Sequence, residues 1–141
     1  MKLFVGQVYI QPGVRFSFSH LFQKWIGEKL TELIVPSDSF LDKYPGGYDV
    51  IFRLSAKSEI YNTEIKGPTV FKKDKQIEYT IFLPHRDNVP DKDVMHRDAL
   101  ERFFDAVACA LESLYIDAGE IRKRSAELTD SVLSNDAMFK N

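Results

Sequence analysis

From Leu100 to Ile121 the chain repeats its apolar residues at helical spacing for longer than anywhere else. At about 100° per residue, Phe103, Phe104, Val107, Leu111, Leu114, Tyr115, Ala118 and Ile121 all fall within about 60° of Leu100. A stripe of this width holds a helix in water only when another apolar surface covers it. The rest of the chain must therefore supply that surface. Gly119 weakens the segment by about 1 kcal/mol relative to Ala, and IRKRSAEL either continues the helix or begins a shorter one.

The covering surface is read from the other periodicities. Residues 2–10 alternate as a strand, stopped by Gln11-Pro12-Gly13. From about Phe16 to Ile34, Phe18, Phe22, Trp25, Ile26, Leu30 and Leu33 recur every three or four positions, a second amphipathic helix ended by Pro36. YDVIFRLSA places Val50, Phe52 and Leu54 on one face of a strand. Residues 61–66 alternate until Gly67-Pro68 marks an edge strand or bulge. TVFKKDKQIEYTIFLP reads as a hairpin with a polar turn at Lys72 to Lys75 and with Ile77, Tyr79, Ile81 and Leu83 on one face. The order β-α-β-β-β-α describes an α+β domain, an antiparallel sheet of four to five strands with two main helices packed on one face. A chain of 141 residues makes one domain, 1–141, and its polar end, from about 129 to 141, is expected to fray.

Charge and cysteine content narrow the function. Lys and Arg number 19 against 21 Asp and Glu, a net charge of −2 with a pI near 5.9. That balance argues against a broadly basic footprint, so no direct nucleic-acid partner is expected, although a local patch is compatible with it. The KKDK run at residues 72–75 reads as a solvated hairpin tip interrupted by Asp74. A single Cys109 excludes an internal disulfide and any all-cysteine metal site, and it fits a reducing cytoplasm. No run of about 18 apolar residues is present, so no membrane partner is expected.

Residues with catalytic chemistry are few. His-Arg-Asp occurs twice, at 85–87 and 96–98, but the position five after each Asp is Lys92 or Phe103, not the Asn that a kinase catalytic loop needs for its metal. His85, Asp87, His96 and Asp98 hold the right residue types for a metal site or acid–base pair. Their spacing of eleven across a Pro-containing loop defines no ligand geometry. Asp91 or Asp93 would instead cap the long helix, with Asp98 in its first turns. Cys109 lies opposite Leu100 on that helix, away from the helix N-terminus that would activate a thiol. Ile116 falls on the same outer face, as a contact residue or under a second covering element. Gly46-Gly47 precedes a strand and cradles no phosphate.

The layout itself resembles a known group. MKLFVGQVYI, the helix with Phe18, Phe22, Ile26 and Leu30, the hairpin ending KDKQIEYTIFLP, and ALERFFDAVACALESLYIDAGEI are similar to bacterial immunity proteins of polymorphic toxin systems of the contact-dependent inhibition type. The likeness is to the immunity protein family numbered forty-four. The resemblance implies a cytoplasmic protein that is not an enzyme, has no cofactor, metal or catalytic residues, and binds and neutralises one cognate toxin domain. The loop SDSFLDKYPGGYD mixes acids and aromatics in the manner of an interface, so Asp38, Phe40, Asp42, Tyr44 and Asp49 are the expected partner-binding residues. The other reading of this loop tucks Phe40 and Tyr44 back onto the core. A different class of function, a small α+β enzyme or a ligand- or metal-binding domain, would use His85, His96 and the nearby aspartates.

Overall fold

The computed structural model describes residues 1–10, 19–57, 60–84 and 92–139. In chain order these form β1 (Leu3–Ile10), α1 (His20–Glu32), β2 (Val35–Pro36), α2 (Asp38–Lys43), β3 (Asp49–Lys57), β4 (Glu64–Phe71), β5 (Gln76–Pro84), α3 (Lys92–Ser113), β6 (Ile116–Asp117) and α4 (Gly119–Leu133), followed by a 3-10 turn at Asp136–Phe139. The fold is α+β. The expected stop of β1 at Pro12-Gly13 and the start of α1 near Phe16 and Phe18 lie outside the described residues, as does the expected cap Asp91. α1 is capped by Ser19, whose Oγ accepts the Phe22 N–H at 3.2 Å.

Four strands make the main sheet in the order β1-β3-β5-β4, and β2 with β6 makes a second, two-stranded sheet. In the main sheet β1 runs parallel to β3, and β3 parallel to β5, while the hairpin partners β4 and β5 are antiparallel. The expectation of an antiparallel sheet is therefore corrected to a mixed one. Its cause is physical. Alternation of apolar and polar residues normally marks antiparallel strands because parallel ones are usually covered on both faces. Among the described residues the helices lie on one face of the parallel strands, so the alternation reports which face they cover and carries no information about direction. The helix-containing connection from β1 supplies the crossover that a parallel neighbour needs.

Inward residues of the sheet are buried: Leu3, Val5, Val50, Phe52, Leu54, Ile77, Tyr79, Ile81 and Leu83. α1 and α3 pack against this one face and meet where the rings of Phe22 and Phe103 stand edge to face at 6.0 Å. Gly27 lets α1 approach β1 closely, since a Cβ there would sit 2.9 Å from the Leu3 carbonyl oxygen. One turn on, Thr31 Oγ1 accepts the Leu3 N–H at 2.9 Å and donates to the Gly27 carbonyl at 2.7 Å. Tyr79 stacks on Phe52 at 5.7 Å, and its hydroxyl lies 3.1 Å from Ser113 Oγ and 3.3 Å from the Ala110 carbonyl. Burial raises the pKa of this phenol above its ordinary value, against the opposing pull of the Ser113 hydrogen bond.

The long apolar stripe does not make one helix. α3 ends at Ser113, Tyr115 turns the chain at φ 60°, and Gly119 opens α4. The expectation of two main helices thus becomes three substantial ones, with the short α2 in addition. The reversal exchanges two neighbours. Tyr115, placed by its period in the buried stripe, is 65% exposed, whereas Ile116, placed on the outer face, is 1% exposed. The segment expected to fray continues α4 and the 3-10 turn as far as residue 139. Thr129, Val132 and Met138 are buried, and the Met138 carbonyl accepts the Ser19 N–H at 2.8 Å.

Candidate partner-binding surface

The joint between α3 and α4 meets the start of α2 at one corner of the molecule. Pro36 pairs with Ile116 and Val35 with Asp117, so two residues on each side form the small antiparallel sheet. The Ser37 N–H donates to the Tyr115 carbonyl at 3.2 Å, which ties α2 to the joint. Ser37 then caps α2, its Oγ accepting the Phe40 N–H at 3.3 Å. Asp117 caps the other side by accepting the Gly119 N–H through Oδ1 at 2.9 Å.

This framework sorts its side chains sharply. Phe40 and Tyr44, four apart on α2, turn inward with ring centroids at 5.3 Å, and Tyr44 continues to Tyr48 at 5.3 Å. Asp38, Leu41 and Asp42 share the other face of the helix by their spacing of three and four. Leu41 is 48% exposed, Val35 63% and Tyr115 65%, three large apolar side chains presented to solvent about the small sheet. Ion pairs among the described residues engage none of Asp38, Asp42 and Asp117.

Behind the corner, Arg122 of α4 clamps the end of α3. Its Nε and Nη2 donate to the two carboxylate oxygens of Glu112 at 2.9 and 3.2 Å, and Nη1 donates to Asp105 at 2.7 Å. Nη2 also lies 3.3 Å from Cys109 Sγ. Hydrogen bonding to Arg122 holds the Glu112 carboxyl below its ordinary range, and the same bond raises the guanidinium. The clamp fixes the two helices on either side of Tyr115 without burying either charge.

Of the residues expected to contact a partner, the structure brings Asp38 and Asp42 together on the exposed face of α2. Phe40, 1% exposed, and Tyr44, 8% exposed, are corrected to core residues, because the spacing of four that puts them on one side of α2 aims them at Tyr48 and the core. Asp49 stands apart at the start of β3, where its carboxylate accepts the Lys2 N–H at 2.9 Å. Sequence reasoning missed Val35, Leu41, Tyr115 and Asp117. Leu41 was legible from its place between Asp38 and Asp42, but Tyr115 had no signal once the stripe was taken as one helix.

The histidine reading gains no geometry. His85 and Asp87 lie outside the described residues, while Asp98 in α3 accepts from Arg102 Nε at 3.0 Å, an ordinary pair one turn apart. Among the described residues no group of three His, Cys, Asp or Glu is placed to hold a metal ion. Among them, too, no helix is long and apolar enough to cross a membrane. The arrangement at the corner is chemically suited to contact: apolar side chains for burial, with carboxylates about them that join no ion pair among the described residues. Known family models, curated proteins and solved structures give no match to this chain.

Proposed function

We propose that this chain is an immunity protein that binds a cognate bacterial toxin domain in the cytoplasm of the producing cell and neutralises it by occlusion, without catalysis. The observation that carries the reading is the corner where Val35, Leu41 and Tyr115 stand exposed about the carboxylates of Asp38, Asp42 and Asp117, which join no ion pair among the described residues. Apolar side chains supply affinity when a partner excludes water from them, and the carboxylates select a basic surface and speed encounter with it. A toxin that holds phosphates in a basic cleft offers such a surface.

Tyr115 is the natural anchor. Tyrosine buries a large area at the cost of few rotamers, and this one is held out by a backbone conformation that non-glycine residues rarely adopt. Co-expression with the toxin domain encoded beside this chain's own gene tests the proposal. Growth is expected to be rescued, and the rescue is expected to fail for Leu41→Lys combined with Tyr115→Ala. A folded wild-type protein that gives no rescue overturns the reading.

A further inference from the structure

The outward face of the main sheet differs from the corner in charge and shape. Lys2, Arg53, Lys57 and Lys66 on the face and Lys72, Lys73 and Lys75 at the hairpin tip stand against Asp49, Glu64, Glu78 and Asp74, a net of +3 in a chain that totals −2. The remainder of the chain therefore totals −5. Strand register concentrates the cations: Lys57 comes from β3 and Lys66 from β4, and both reach over the ring of Phe82 on the strand between them, at 4.1 and 5.2 Å. Phe4, 47% exposed, and Phe71, 41% exposed, lie toward the two edges of the same face. Beside Phe4 the floor is open, since a Cβ on Gly6 would meet nothing within 4 Å.

We infer that this face, with the hairpin tip, binds single-stranded nucleic acid. Lysines track phosphates, and exposed rings on a sheet face stack with unpaired bases, since every base has such a face. From Phe71, opposite Gln76, to Phe82, six residues farther along β5, the path is about 20 Å, long enough for several nucleotides. An acidic polypeptide would match the lysines but give the separated rings no stacking partner. A duplex hides its base faces, and among the described residues no helix stands on this side to enter a groove. The inference revises the expectation, drawn from net charge alone, that no nucleic acid is contacted; it is independent of the toxin-binding corner.

Fluorescence anisotropy of the full chain with a labelled oligo(U) of about twelve nucleotides tests it. Saturable binding at low salt is expected, with a logarithmic salt slope that flattens by about 1.4 when Lys57→Ala and Lys66→Ala are combined. Phe4→Ala and Phe71→Ala, at exposed positions that leave folding intact, are each expected to weaken binding about tenfold. Lys29→Ala with Lys123→Ala, on α1 and α4, should change neither the affinity nor the slope by a comparable amount. Absence of binding at about 100 μM protein in low salt overturns the inference, since even non-specific affinity is about that strong. So does displacement of oligo(U) by an equal concentration of polyglutamate, or equal affinity for a duplex of the same length.

Discussion

The corner and the sheet face are both half-exposed surfaces, yet they arise in opposite ways. The face is regular: each strand alternates, so Ile77, Tyr79, Ile81 and Leu83 go inward while Glu78, Thr80 and Phe82 go outward. Its outward chemistry follows from periodicity once the pairing is known. The corner is made by interruption. A helix stops, one residue takes a left-handed conformation, and two residues pair with two others. The comparison teaches that a regular element tells its own sequence which side is wet, whereas a joint can turn out a residue that the period marks as buried.

The largest expected effect lies at the base of the corner. If Phe40 anchors α2 from within, Phe40→Ala removes a fully buried ring and is expected to cost about 3–5 kcal/mol in urea unfolding. If it were instead a partner contact on a free loop, stability would stay within about 0.5 kcal/mol of wild type. The equivalent truncation on the sheet face, Phe4→Ala, starts from an exposed ring and belongs to this second, smaller class.

A glycine scan sharpens the same contrast through its sign. Thr80→Gly, in the middle of β5 and between two partner strands, is expected to destabilise by about 1 kcal/mol. Tyr115→Gly relieves a conformation that costs an L-residue about 1–2 kcal/mol, and it gives up an exposed side chain with little burial to lose. Chemical denaturation should therefore show a gain of up to about 1 kcal/mol, offset in part by the greater freedom of glycine in the unfolded chain. On the immunity reading the same variant loses at least about tenfold in affinity for the toxin domain. A stabilised variant that still binds fully would separate the strain at Tyr115 from function.

Much of the fold was legible because it rests on period. The strand faces, the hairpin at residues 72–75, the burial of Phe22, Ile26 and Leu30, and the single covered face of the sheet all follow from alternation or a spacing of three and four. Strand direction was not legible, since β5 lies between β3 and β4 through long-range pairing that leaves no local mark. The corner was legible only in part. Asp38 and Asp42 stood out by their charge, but Phe40 and Tyr44 have the composition of an interface and the spacing of a core. The spacing decided, because it sets which way a helical side chain points. Tyr115 stayed hidden because its helical angle fits the stripe and only the backbone reversal removes it. Lys57 and Lys66 are nine residues apart in sequence and meet only through the ring of Phe82.

Charge reversal and acid probe the two surfaces more gently. Asp38→Lys with Asp42→Lys, at exposed positions, should leave stability within about 0.5 kcal/mol while slowing association with a basic toxin domain in low salt, an effect that fades as salt is raised. Stopped-flow association at two ionic strengths reads this, and an unchanged low-salt rate would remove these carboxylates from the interface.

The smallest effect concerns the clamp behind the corner. Arg122 lowers the folded-state pKa of Glu112, so the pair stabilises the folded chain above the ordinary glutamate range, near pH 4.3, and that contribution fades as pH falls through the lowered value. With 46% of the Glu112 side chain exposed, solvent screening keeps the contribution under about 1 kcal/mol. Urea midpoints of wild type and Glu112→Gln should therefore differ slightly at pH 7, with wild type the more stable, and converge once pH has fallen below the lowered value. A difference that stays constant across this range would mean that the variant disturbs packing at the joint and that the charge of Glu112 is not what holds α4 to α3.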